Sequence, residues 1–311
     1  MSADIISIGE LIVEVMRPGV DQPLDRPGEF VGPFPSGAPA IFIDCAAKLG
    51  GSCGFIGAVG NDDFGSLCIE RLRADGIDIS RISRVDGYAT GVAFVGYFAD
   101  GSRKFLFHIA HAAAGQIPRV DKNYARAGRF LHVCGCTLSM SELMRDRCYA
   151  AVNAITEGGG RVSFDPNLRP ELLGPDQFRS LCMPVVEKCY LMLPSANEAE
   201  LIAGRDDPDE ACKALLDMGP KIVALKRGAK GCRVFSAEGV FDSPGFSIDE
   251  IDPTGAGDCF DAGFVTGLME GLPLDETARL ANAAGALSAS RKGPMEGTFP
   301  RAEVERFMAN G

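Results

Sequence analysis

The sequence predicts an α/β fold with a mostly parallel central sheet covered by helices on both faces. Three observations lead there. Short apolar runs alternate with longer amphipathic stretches from end to end. In the third quarter each strand candidate is followed by a helix candidate at regular spacing. Two segments rich in β-branched and aromatic residues stand outside that rhythm.

In chain order, strands are expected over 5–9, 53–59, 130–134, 161–164, 190–193 and 221–225. Helices are expected between them over 40–49, 64–75, 141–156 and 208–218. The exceptions are 11–31 and 91–107, which carry the turn residues Arg17-Pro18-Gly19 and Ala99-Asp100-Gly101. Both read as antiparallel strands apart from the parallel sheet. Together, over about 11–35 and 88–112, they are expected to form a small sheet lying over a site as a lid; an edge extension of the main sheet is the alternative. With no repeat, low-complexity tract or linker, residues 1–311 read as one domain.

Composition sets outer limits. The 311 residues can bury a large core, and 46% hydrophobic with 23% charged residues is ordinary for a globular chain. A net charge of −11 argues against a sequence-independent nucleic-acid surface, so any anion site must be local. The N-terminus lacks the basic and apolar regions of a signal peptide, and no apolar run approaches membrane-spanning length. Eleven cysteines scattered without framework spacing fit a cytoplasmic chain with reduced thiols. Cys134-Gly135-Cys136 is the one close pair. Two small residues on one face of a strand is its plain reading, and a metal or redox pair the other.

The chemistry concentrates in Ile251-Asp252-Pro253-Thr254-Gly255-Ala256-Gly257-Asp258-Cys259-Phe260. Pro253 pushes Asp252 away from helical geometry, while Gly255 and Gly257 allow tight turns and close approach. Phe260, Phe264, Leu268 and Leu272 recur at helical spacing, so a helix is expected to start at about Gly257. Its first amides would form an anion site with the amides of Gly255, Ala256 and Gly257. Asp258 at the mouth of that site is a candidate general base for a hydroxyl attacking phosphorus. A plain helix cap is the competing reading. A dinucleotide motif fails, because Phe260 stands where its third glycine belongs, and no P-loop pattern occurs.

These residues resemble the signature of the ribokinase-like (PfkB) carbohydrate kinases. A second family signature is matched by Ser36-Gly37-Ala38-Pro39-Ala40, Ala47-Lys48-Leu49-Gly50 and Gly57-Ala58-Val59-Gly60-Asn61-Asp62-Asp63-Phe64-Gly65. Val92, Phe94, Val95 and Phe98 of the lid strands would be exposed if left unpaired, and an edge of that kind invites a second subunit, so a homodimer joined through the lids is expected. The resemblance spans essentially the whole chain and implies a three-layer α/β/α core with a β-sheet lid, and ATP and Mg2+ as cosubstrate and cofactor. It also implies residue roles. Asp258 would be the base, with Gly255, Ala256 and Gly257 as its anion hole. Asn167 and Arg169, in Asp165-Pro166-Asn167-Leu168-Arg169, would border the sugar with Glu14, Gly37 and Ala38. Asn197 and Glu200, in Asn197-Glu198-Ala199-Glu200, would serve the nucleotide and Mg2+ through water. Lys226, Gly228 and Gly231 would pack on the nucleotide, unless they form only a turn, and Asn282 would lie by the adenine. Asp252 and Thr254 match positions that hold K+ in many members.

Departures from the family pattern bear on the substrate. Ile41 stands where Asn is common, Glu14 where Asp is usual, and His108 where acid-sugar kinases of the family place Arg. The last change argues for a neutral sugar, unless Arg169 or Arg103 compensates. His108 and His111 read equally as sugar ligands or lid-surface residues. The run 31–44 is similar to the tagatose kinase subgroup, which implies D-tagatose giving tagatose 6-phosphate. Fructose and 2-keto-3-deoxygluconate are the alternatives. A non-catalytic nucleotide or sugar sensor on the same fold is the alternative from another class.

Overall fold

The computed structural model describes residues 3–109, 111–169 and 172–310. Its elements in chain order are β1 Ile5–Ile8, β2 Ile12–Val20, β3 Val31–Ser36, α1 Ala38–Lys48, β4 Cys53–Gly60, α2 Asp63–Ala74, β5 Asp78–Val85, β6 Gly91–Tyr97 and β7 Arg103–His108. After a 3-10 turn follow α3 Lys122–Ala127, β8 Phe130–Cys134, α4 Gly135–Met140, α5 Glu142–Glu157, β9 Arg161–Asp165, α6 Pro175–Val186, β10 Leu191–Met192, α7 Ala196–Ala203, α8 Pro208–Met218 and β11 Ile222–Lys226. The chain closes with β12 Cys232–Ser236, β13 Gly239–Ser243, α9 Ala256–Glu270, α10 Leu274–Ala289 and α11 Arg301–Asn310.

The main sheet runs in the order β13-β12-β11-β10-β9-β8-β1-β4-β5. Every pair from β11 to β5 is parallel, and β12 and β13 add an antiparallel edge. Alternation along each strand splits the core into two layers, because successive side chains point to opposite faces. Ile5, Phe55, Phe130, Leu191 and Ala224 pack with α1, α9 and α10. Ile6, Ile56, Leu131, Phe164 and Val223 pack with α5 through α8 on the other side. Six strand positions and four helices expected from the sequence stand within a few residues of their predicted bounds.

The lid is a separate four-stranded sheet, β3-β2-β6-β7, and not an extension of the main one. Two expectations about it need correction. Its two segments are each antiparallel hairpins, but they join through β2 and β6, which run parallel. Arg17-Pro18-Gly19 is not a turn: it lies inside β2, and the chain reverses after Val20. The cause is Arg17, which is buried and donates to the carbonyls of Glu29, Pro23 and Arg26, so its side chain organises the loop that follows. Nor does β6 offer an apolar edge. It lies inside the lid, Val95 is buried, and Phe94 packs on Phe30.

Cys134 and Cys136 do not share a strand face, since β8 ends at Cys134 and Cys136 opens the next helix. All eleven cysteines are buried free thiols. Among the described residues no helix is long and apolar enough to cross a membrane.

Candidate active site

The turn before α9 is built by Asp252. This buried carboxylate accepts from Thr254 N (3.0 Å), Gly293 N (3.0 Å) and the Tyr97 hydroxyl (3.0 Å). Gly255 is the N-cap with φ 82°, and a Cβ there would lie 2.6 Å from Pro294 O, so both backbone and space require glycine. The helix starts at Ala256, one residue earlier than its periodicity suggests. No side chain caps it, and of its first amides only Ala256 turns back, to Pro253 O at 3.3 Å. The amides of Gly257 and Asp258, both lining the cavity, take no partner among the described residues. That leaves partial positive charge where a phosphoryl group can meet it.

Asp258 is not a cap, because its carboxylate makes no bond to the helix start. It is buried, and Asn167 Nδ2 approaches Oδ1 at 3.4 Å. Burial raises its pKa from 3.8 to about 7; the Asp165 carboxylate adds to the rise, against Lys226 and Arg169. Asn167 is held in the left-handed region (φ 42°) by its own N–H bonding Asp165 Oδ1 at 3.1 Å. Lys226 Nζ bridges Asp165 Oδ2 (2.8 Å) and Asp261 Oδ1 (3.3 Å). Asp261 was not singled out in the sequence. Its signal was a carboxylate three residues after Asp258 on an otherwise apolar helix.

A cavity of about 430 Å³ lies between lid and core. Glu14, Gly37, Ala38, Asn167, Arg169 and Asp258 all line it. Ser36 Oγ donates to Glu14 Oε1 at 2.6 Å, and Glu14 Oε2 has no partner among the described residues. Burial raises Glu14 to about 7. Glu10, missed in the sequence, also lines the cavity and accepts from Thr137 Oγ1 at 2.6 Å.

His108 does not belong to this site. Exposure alternates along β7, turning Arg103, Phe105 and Phe107 inward and Lys104, Leu106 and His108 to solvent. A one-residue change of parity puts a strand side chain on the opposite face. His111 is exposed in the turn beyond. The inward guanidinium is Arg103, whose Nη1 donates to Thr254 Oγ1 at 3.0 Å and ties the lid to the turn before α9.

A second cavity of about 570 Å³ adjoins the first and shares Lys226, Gly228, Pro253 and Gly257 with it. Gly231 and Asn282 line it with Phe260, Gly285 and Ala286. Asn282 Nδ2 donates to the carbonyls of Ser243 and Pro244 (both 3.2 Å), shaping the loop that walls this cavity. Gly255 lines the first cavity only. Asn197 and Glu200 line neither. From the same turn Glu198 enters the first cavity instead, accepting from Leu168 N and Ser195 N at 2.7 Å each. Its place in the capping box of α7 fixes it there.

Two adjoining cavities, meeting at an uncapped helix start beside a buried carboxylate, define a phosphotransferase site with an alcohol acceptor. The chain belongs to the pfkB family of carbohydrate kinases, whose profile matches residues 2–301. It is 33% identical over 313 residues to the fructokinase of Escherichia coli, covering 98% of this chain and 99% of the relative. It is 30% identical over 272 residues to the 2-dehydro-3-deoxygluconokinase of Bacillus subtilis, covering 85% and 83%. Among solved structures, an E. coli protein provisionally named ribokinase II, in complex with ATP and Mg2+, is 41% identical with a TM-score of 0.94, covering 99% of this chain and 100% of its own. Fructokinase from Vibrio cholerae, with fructose, ADP and calcium bound, is 27% identical with a TM-score of 0.84, covering 99% and 100%. The fold is ribokinase-like and the protein is a sugar kinase.

Proposed function

We propose that the protein transfers the γ-phosphate of ATP to the primary hydroxyl of a neutral ketohexose, D-tagatose giving tagatose 6-phosphate. The observation that carries the reading is Asp258, a buried carboxylate raised to about 7 that lines the first cavity next to Gly257, which lines both. The sugar lies under the lid near Glu14, Gly37, Ala38, Asn167 and Arg169, and the nucleotide along Lys226, Gly228, Gly231 and Asn282. Asp258 accepts the hydroxyl proton, and the turn of Gly255, Ala256 and Gly257 receives the phosphoryl oxygens.

Oxygen donors suit Mg2+, but Glu198 and Asp165 are already engaged by protein donors. Mg2+ would therefore enter with the nucleotide and keep its own waters, and Glu200, which lines neither cavity, gives no direct ligand. When bound it neutralises charge on those phosphates. K+ at Asp252 and Thr254 is proposed only through Asp252 Oδ1, because Oδ2 already accepts twice.

A second reading, phosphorylation of 2-keto-3-deoxygluconate, draws on Arg103 and Arg169, which flank Phe105 in the sugar cavity. With His108 turned outward, the argument from its position against an acid sugar loses force. An ADP-release assay over tagatose, fructose and 2-keto-3-deoxygluconate separates the readings by kcat/KM. No turnover with any of them, despite tight ATP binding, would favour a non-catalytic sensor. A lid dimer is proposed through β7, an edge strand of the lid with Leu106 exposed; a monomer by light scattering would refute it.

A further inference from the structure

Lys226 occupies the seam between the two cavities and lines both. Its ammonium is held by Asp165 Oδ2 at 2.8 Å and Asp261 Oδ1 at 3.3 Å. A Cβ placed on Gly257 would lie 3.7 Å from it, so the charge stands beside the start of α9. Both tethers sit on rigid elements: Asp165 ends β9, and Asp261 lies one turn after Asp258 on α9. The side chain of Lys226 is 17% exposed, against 2% and 0% for its partners. Lys226 is therefore the most exposed member of this cluster and lines both cavities, whereas Asp165 lines the first alone. An ion pair kept only for the fold would be closed over, and apolar packing serves that purpose at least as well.

We propose that Lys226 is a catalytic cation of phosphoryl transfer, meeting a non-bridging oxygen of the transferring group as it passes the amino terminus of α9. The proposal rests on the kinase reading above. The acceptor hydroxyl oxygen bonds to the γ-phosphorus while the bond from that phosphorus to the β,γ-bridging oxygen breaks. ADP leaves with the electron pair, and the hydroxyl proton goes to the Asp258 carboxylate. Charge spread over the transferring oxygens meets a fixed ammonium in a site poor in water, where such contacts act strongly. Asp165 and Asp261 are positioning residues that hold Nζ and touch no substrate.

The test compares Lys226→Met and Lys226→Arg in the full chain, using the sugar that the parent turns over best. For Lys226→Met, kcat is expected to fall by about 10²–10³-fold, with the sugar KM changed less than about threefold. Binding of AMP, which lacks the transferring phosphate, stays at the parent value by calorimetry. Lys226→Arg recovers at least about tenfold of the loss. Because Lys226 opposes the upward shift of Asp258, its removal also moves the acid limb of kcat/KM to higher pH, so kcat is compared on the plateau above that limb. A kcat within about threefold of the parent overturns the proposal. So does a fall in kcat matched by an equal loss of AMP binding. If Lys226→Met does not fold, Lys226→Met with Asp261→Asn removes a stranded carboxylate, and the same criteria are read against Asp261→Asn alone. A parent inert toward every sugar sinks the kinase reading itself, before any variant is made.

Discussion

Asp258→Asn should lower activity and raise stability, and the two effects come from the same burial. In the parent, desolvation first and the Asp165 carboxylate second raise Asp258 from 3.8 to about 7. A base must be ionised to accept a proton, so kcat/KM should fall about tenfold per pH unit below 7 and level off above it. The amide cannot accept the proton at any pH, and kcat should drop by about 10²–10⁴-fold, or about 3–5 kcal/mol of barrier. Folding responds in the opposite sense. A carboxyl with a folded pKa above its unfolded value contributes stability that is fully present below pH 4 and is lost as pH rises through 7. A rise from 3.8 to about 7 sets a ceiling of about 4 kcal/mol on the destabilisation above pH 7. The amide carries no such charge and can keep the contact to Asn167. The variant should therefore melt higher than the parent at pH 8 and gain nothing at pH 4. ADP release across pH and paired thermal melts measure both effects. Near-parent turnover, a flat pH profile in the parent, or a variant less stable at pH 8 would each refute the reasoning.

Three further outcomes follow from named geometry. Gly255→Ala places a Cβ 2.6 Å from Pro294 O at φ 82°, so the anion turn must shift; kcat should fall at least about tenfold, at a strain cost of about 1–3 kcal/mol, by kinetics and melting. Asp44 is fully buried and bonds Arg71 Nε at 3.1 Å and Thr298 Oγ1 at 2.6 Å. Asp44→Ala removes one buried partner of Arg71 while Asp75 still faces that guanidinium at 2.9 Å, and should cost about 1–3 kcal/mol in denaturant unfolding, with kcat at low temperature kept within about twofold. His108→Ala should leave kcat and sugar KM within about twofold, whereas Arg103→Met raises KM, because only Arg103 faces the cavity.

Much of this site was legible in the chain because its parts are local. Pro253, Gly255 and Gly257 fix a turn by their own backbone chemistry, and the apolar spacing after Asp258 announces the helix that the turn feeds. The parallel sheet was legible for a similar reason, since strand and helix periods are written in short windows. The lid was legible as strands but not as a pairing, because nothing local tells β2 to lie parallel to β6. That Glu198 rather than Glu200 enters the cavity turned on a bond outside its capping box, from Leu168 N thirty residues away.

The sequence by itself determined that a buried-strand α/β core would carry one glycine turn, one carboxylate and one helix start in a fixed order. Only the tertiary structure decided the parity of β7, and with it that Arg103 rather than His108 faces the cavity. It alone brought Asp165, Lys226 and Asp261 together from three separate elements. The physical reason is distance. Backbone preference acts over a few residues, whereas the electrostatic setting of Asp258 depends on charges that only packing places beside it.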